Sequence, residues 1–252
     1  MVNYSYSKIE TFNQCKLKYK LKYIDKIEIG EQTVEQFLGG LVHKTLEKLY
    51  YEIDSGKKVL LQDILGHFNG LWKENWNSDI RIVKENADAE DYLLLGNRFL
   101  TDYYNKYAPF NDTKTLAIET SHIIELVPGI NYHIRIDRLT YDGNGVYSVR
   151  DYKTGSYLPT QDRLDNDKQL AMYSLWVKEN FGDAQKVRLV WHYLAFNKEL
   201  ESNRTEEQLE NLKKEVLVVI ERIENEKEFT PTISKLCNWC EYQSMCPAWN
   251  KN

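Results

Sequence analysis

Two acids and a lysine carry the first chemical signal in this chain of 252 residues. Asp151 and Lys153 stand two apart in Val149-Arg150-Asp151-Tyr152-Lys153-Thr154-Gly155. On a strand that spacing projects both side chains from one face. Upstream, Ile136-Asp137-Arg138-Leu139 sets a second carboxylate in an apolar strand. The intervening Asp142-Gly143-Asn144-Gly145 predicts a hairpin turn joining the two strands. A carboxylate beside an ammonium is an ordinary salt bridge in many proteins. It is equally the arrangement in which a metal ligand neighbours the group that positions or activates a water.

The second signal is the cysteines. Cys237, Cys240 and Cys246 follow a C-x2-C-x5-C spacing, with Pro247 next, and the fourth cysteine, Cys15, lies near the opposite end of the chain. Isolated free cysteines usually pack as small hydrophobes, but three so close together point to metal. Structural zinc usually takes its ligands as two paired hooks. One distant ligand and a cluster of three followed by proline suit a cysteine-ligated iron–sulfur cluster better.

These residues need elements to position them. Ser7-Lys8-Ile9-Glu10 reads as a capping box opening a helix. Lys8, Lys16, Lys18, Lys20, Lys22 and Lys26 follow, interleaved with Phe12, Tyr19 and Tyr23. Such a segment is either a solvated helix face or a surface that tracks phosphates. Residues 33–55 have helical apolar spacing, interrupted by Gly39 and Gly40, which suggest close approach of another backbone or a helix beginning there. His43 lies on the face of Gly39. By itself it reads as structural more readily than as a ligand. Residues 59–76 and 88–107 predict two further amphipathic helices. Strands are expected at 116–127, 130–141, 146–153 and 185–196, and helices at 167–180 and 205–226. Glu119, in the first strand, reads as a solvated residue slightly better than as an extra acid at a metal. Gln169 and Tyr173 share a helix face, as a surface pair or as a polar pair reaching a cleft.

Bulk properties bound the classes. Hydrophobic residues make up 42% of the chain, enough for a real core. No apolar run reaches ~18 residues and no signal-peptide pattern opens the chain, so we expect no membrane association and a cytoplasmic location. The net charge of -5 gives no general affinity for nucleic acid, so binding a polyanion would need local basic patches. The 18 tyrosines and 6 tryptophans serve a core or base stacking equally well.

Taken together these features resemble the PD-(D/E)XK nuclease superfamily, in its RecB- and AddB-like branch, which includes the CRISPR-associated Cas exonucleases with an iron–sulfur cluster. Residues 5–23 resemble the entry helix with its first cluster cysteine. Gly39-Gly40-Leu41-Val42-His43 is similar to the G-x3-H motif, Ile136-Asp137-Arg138 to the strand acid and Asp151-Tyr152-Lys153 to the D-x-K motif. Gln169 and Tyr173 match Q-x3-Y, and the C-terminal cysteines match the cluster-binding tail. Two places depart: Ile134 stands where glycine is frequent, and Lys16 where proline is.

The resemblance implies an α/β fold. Its restriction-endonuclease-like core would be a central mixed β-sheet flanked by helices, with an N-terminal helical lobe and a cysteine-rich tail closing on the N-terminal helix. The expected organisation is one nuclease domain over residues 1–252, with a helical region at 1–110, the core at 115–200 and an iron–sulfur-binding tail at 230–252. It implies a metal-dependent deoxyribonuclease, an exonuclease on single-stranded DNA or duplex ends, serving repair, recombination or CRISPR-type defence. His43, Asp137, Asp151 and the Tyr152 carbonyl would hold Mg2+ or Mn2+. Lys153 would orient the attacking water, lower its pKa or stabilise transition-state charge, with Gln169 and Tyr173 holding the lysine or a substrate phosphate. Cys15, Cys237, Cys240 and Cys246 would hold a structural 4Fe-4S cluster. A helicase or a CRISPR adaptation-complex protein is the expected partner, with any motor on a separate chain. The alternative is a non-catalytic iron–sulfur DNA-binding or scaffolding subunit of a helicase–nuclease complex.

Overall fold

The computed structural model describes residues 2–249. A short strand, β1 (Val2–Ser5), turns at once into α1 (Tyr6–Gln14). Ser5 is the cap, its Oγ accepting from the Lys8 N–H at 3.3 Å, so the helix starts before Ser7. It stops at Cys15, whose backbone is extended at φ -159°, and resumes as α2 (Lys16–Tyr19) and one π-helical turn (Lys20–Ile24). The basic segment is therefore broken, and the break turns the Cys15 thiol out of the helical repeat.

β2 (Gln32–Thr33) leads into α3 (Val34–Asp54), opened by a capping box of Thr33 and Gln36. The helix passes through both glycines. A Cβ on Gly39 would lie 3.1 Å from Thr154 Oγ1, a side-chain atom, and Gly40 faces open space, so the expected close approach of another backbone is corrected to that of one side chain at Gly39. With α4 (Leu61–Asn75), β3 (Ile80–Arg81) and α5 (Ala89–Tyr107), α3 forms the N-terminal helical lobe.

β4 (Lys114–Val127), β5 (Ile130–Gly143) and β6 (Val146–Lys153) make an antiparallel meander with the expected hairpin. After α6 (Gln161–Asp165) and α7 (Gln169–Asn180), β7 (Lys186–Tyr193) pairs parallel to β6. β8 (Lys198–Ser202) returns antiparallel to β7, and α8 (Glu206–Asn225) follows. β1 and β8 were not legible in the sequence, and β7 ends before residues 194–196, which form a 3-10 turn.

The result is a six-stranded mixed sheet between two layers of helix. On one face Ile134, Ile136, Val149 and Trp191 pack with Phe12, Met172 and Ile220 of α1, α7 and α8. On the other, Ile118 and Tyr152 pack with Val42, Phe68 and Phe99 of the helical lobe. Residues 226–249 run back to the N-terminal segment. The Tyr242 hydroxyl donates to the Ile27 carbonyl at 2.8 Å, Glu241 meets Lys18 at 2.6 Å, and the Leu17 N–H reaches the Thr230 carbonyl at 3.3 Å. No helix among the described residues is long and apolar enough to cross a membrane.

Candidate active site

Two features of β5 create the site. The first is a fork. One edge of β5 pairs with β4 throughout, but the other is shared: residues 130–133 pair with β1 and residues 138–143 with β6. Past Arg150, β6 leaves β5, and the Tyr152 N–H donates at 3.0 Å to the Asp137 side chain, not to a backbone carbonyl. The second feature is a phase inversion. Tyr132, Ile134 and Ile136 alternate into one core, but Leu139 joins that core too, so the alternation breaks around Asp137. Across the ladder, Ile124 and Leu126 of β4 face the same core, while Ile118 faces the other. Glu119 lies at this break with φ of 49°, a left-handed conformation rare for a residue with a side chain.

Register places Ile118 opposite Arg138 and Thr120 opposite Ile136, so Glu119 and Asp137 face each other across the pair. His43 of α3 bridges them: its Nδ1 is 3.4 Å from Glu119 Oε1 and 3.4 Å from Asp137 Oδ2. Its Nε2 lies 2.9 Å from the Tyr152 carbonyl. The Glu119 side chain is 6% exposed and also accepts from Arg135 Nε at 2.8 Å. The solvated reading of Glu119 is therefore corrected. Strand alternation assumed a regular backbone, and the left-handed residue breaks that assumption.

Asp151 and Lys153 project together as expected, Lys153 Nζ lying 2.7 Å from Asp151 Oδ2. Gln169, the first residue of α7, holds both: its Oε1 accepts from Lys153 at 3.1 Å, and its Nε2 reaches Asp151 Oδ1 at 3.4 Å. That same Nε2 donates to the Tyr173 hydroxyl at 3.1 Å. Gln169 and Tyr173 thus face the cleft and are no surface pair. The structure brings together every acid, the histidine, the lysine and the Gln–Tyr pair read from the sequence, and adds Glu119.

Electrostatics follow from the crowding. Burial and then the Asp151 charge raise the Asp137 pKa well above the ordinary carboxylate range, although His43 and the Tyr152 N–H pull it back. For His43 burial opposes the charge, but the Glu119 hydrogen bond and the Asp137 and Asp151 charges outweigh it and raise its pKa to about 9. Burial likewise opposes the Lys153 charge, and Asp151 overcomes it, so this pKa is raised and the lysine stays an ammonium.

The donor set suits a hard divalent cation. One atom each from His43, Glu119 and Asp137 lie within 4.8 Å of one another. The buried Asp151 Oδ2 has Lys153 as its close ion-pair partner. Carboxylate oxygens with one imidazole fit magnesium or manganese.

At the far end of α1, Cys15, Cys237, Cys240 and Cys246 line one pocket. Cys15 Sγ accepts from the Lys18 and Thr232 N–H groups, each at 3.5 Å, and Cys237 Sγ from Ser234 at 3.4 Å. The lysines beside them are largely neutralised: Lys16 by Glu226, Lys18 and Lys22 by Glu241, and Lys20 by Asp25. This favours a structural role for that face over a free phosphate-tracking surface.

A family model described as the PD-(D/E)XK nuclease superfamily matches residues 3–247. The crystal structure of a candidate exonuclease from Eubacterium rectale shares 14% identity and a TM-score of 0.51, over 96% of this chain and 86% of that one. The structure of SSO0001 shares 18% identity and a TM-score of 0.39, over 96% and 95%. No curated protein sequence matches the chain.

Proposed function

The chain belongs to the PD-(D/E)XK nuclease superfamily, and from that membership we propose that it is a metal-dependent deoxyribonuclease, an exonuclease acting on single-stranded DNA or duplex ends. The observation that carries this reading is the fork in β5, where Glu119, Asp137, Asp151, His43 and Lys153 converge from four elements. A non-catalytic subunit has no need of so costly a cluster of buried charge.

His43, Glu119, Asp137, Asp151 and the Tyr152 carbonyl are the groups that would hold Mg2+ or Mn2+. When bound, such an ion supplies Lewis-acid charge and a water of lowered pKa. The protein residues do the rest. Lys153, kept charged by Asp151, has no lone pair to act as a base. Its role is to donate a hydrogen bond to the attacking water or to a phosphoryl oxygen, stabilising charge that grows in the transition state. Gln169 fixes both ends of the Asp151–Lys153 pair, and Tyr173 fixes Gln169.

The four cysteines are read as the ligands of a 4Fe-4S cluster that fastens residues 226–249 to the start of the chain. Their shared pocket and the N–H groups donating to sulfur support this. The cluster's contribution is structural, its binding free energy adding to that of folding. A helicase or CRISPR adaptation-complex partner and a cytoplasmic site of action complete the reading. The test is cleavage of end-labelled single-stranded and duplex DNA by purified protein with Mg2+, with Mn2+ and with EDTA. Metal-dependent release of short products supports an exonuclease. Absence of cleavage under all conditions, with iron fully loaded, sinks it.

A further inference from the structure

On the sheet face covered by the helical lobe, opposite to the one from which Asp151 and Lys153 project, three guanidinium groups converge. Arg138 and Arg150 are register partners on β5 and β6, and Arg188 on β7 is the register partner of Ser148, which shares the face of Arg150. Arg138 is 5% exposed and Arg150 is 7% exposed. Like charges directly opposite on neighbouring strands repel, and burial magnifies the cost.

The counter-charges are unevenly shared. Arg188 is paired with Asp142 at 3.1 Å and with Glu201. Arg150 meets Glu199 at 3.3 Å and donates to Thr140 Oγ1 at 3.2 Å. Arg138 has no carboxylate within 4.0 Å among the described residues. It donates to Thr115 Oγ1 and Thr113 Oγ1, each at 3.0 Å, and lies 3.6 Å from the Tyr50 ring centroid. All three arginines open into one pocket, with Tyr103, Tyr107, His192 and the Arg150-paired Glu199 on its walls and the exposed Asp112 at its edge. The positive field is felt by His192, whose pKa burial, Arg150 and then Arg138 push well below the ordinary value.

We propose that this pocket binds a phosphoryl group, borne by free phosphate or by a nucleotide, with Arg138 and Arg150 as its seat. A guanidinium fork matches a tetrahedral oxyanion in geometry and charge. Such an anion supplies the counter-charge that Arg138 lacks, and the threonine hydroxyls beside it can turn to donate. Arg138 follows Asp137 and Arg150 precedes Asp151, so the pocket and the candidate active site share two stretches of backbone. The proposal does not rest on the nuclease reading and is tested without metal.

The experiment is calorimetric titration of the whole protein in EDTA. The probes are inorganic phosphate, deoxyadenosine monophosphate, and an oligonucleotide with or without a 5′-phosphate. The expected result is one-to-one binding of a phosphorylated probe, weakened at least tenfold by Arg138→Gln and unchanged by Asp151→Ala. Binding of free phosphate identifies the anion alone as sufficient. Binding at least tenfold tighter for the monophosphate identifies a nucleotide, and binding confined to the 5′-phosphorylated strand identifies a DNA end. Should Arg138→Gln fail to fold, wild-type Tm in phosphate against chloride of equal ionic strength replaces it, with a concentration-dependent rise expected. The proposal is overturned if no probe binds at millimolar concentration, if Arg138→Gln binds like wild type, if Asp151→Ala abolishes binding, or if phosphate leaves Tm unmoved.

Discussion

His43 Nε2 and the backbone carbonyl of Tyr152 lie 2.9 Å apart, although 109 positions separate them in sequence. A carbonyl has no proton to give, so Nε2 must be the donor, while Nδ1 faces two carboxylates. The two carboxylates favour the imidazolium form of His43, which sets a cation where a divalent ion would stand. To bind metal it must release a proton.

That relationship has two consequences for pH. A folded pKa of about 9 exceeds the ordinary 6.5, so His43 contributes stability that is complete below pH 6.5 and lost as pH rises to about 9. In EDTA, wild-type Tm should decline across that window, and His43→Asn should lack this part of the decline. Metal and proton compete, so apparent Mn2+ affinity should strengthen over the same window. A pH-independent affinity would remove His43 from the ligand set.

Asp137→Ala and Asp151→Ala should each lower cleavage by about 10²–10³-fold or more, with far-UV circular dichroism unchanged. Glu119→Gln should weaken metal binding in a direct Mn2+ titration, because it removes one of three clustered donors. Wild-type metal affinity in Glu119→Gln would return that residue to a purely structural pairing with Arg135.

Lys153→Met should reduce kcat while leaving metal affinity near wild type, since the ammonium stabilises charge and does not ligate. Gln169→Ala should do the same more mildly, by releasing Lys153 and Asp151 together. Equal losses of metal affinity and rate in Lys153→Met would contradict this division of roles.

Cys15→Ser should reduce iron content and visible absorption as severely as Cys240→Ser, because both thiols line one pocket. Limited proteolysis should then cut within residues 226–249, although Glu241 and Tyr242 keep part of the closure. Full iron with Cys15→Ser would leave Cys15 an ordinary thiol and break the proposed fastening.

Gly96→Ala tests the helical lobe. An added Cβ would lie 2.2 Å from the ring of Phe68, which is fully buried and has no room to swing. Overpacking of this kind costs about 1–3 kcal/mol, readable as a lower urea midpoint. An unchanged midpoint would show that α4 and α5 pack more loosely than described.

The helices of the lobe, the hairpin at Asp142-Gly143-Asn144-Gly145 and the outward order of the motifs were legible in the sequence alone. Each is written locally, in a 3.6- or 2-residue period, a cap or a turn dipeptide. The pairing of Asp151 with Lys153 was legible for the same reason, since two residues on one strand need no partner to share a face. Other features were decided only by tertiary structure. Glu119 entered the site because a left-handed residue inverts the strand phase, and periodicity cannot see an inversion until the cores are known. One trace of it does lie in the sequence: Ile134 and Ile136 are followed by Leu139 and not by an apolar residue at 138. The fork depends on β1 and β6 sharing one edge of β5, and the arginine pocket on a register that sets Arg138 against Arg150. A local pattern fixes which face a side chain prefers. Which side chain it then meets is set by long-range pairing, and that is where the candidate chemistry of this protein is assembled.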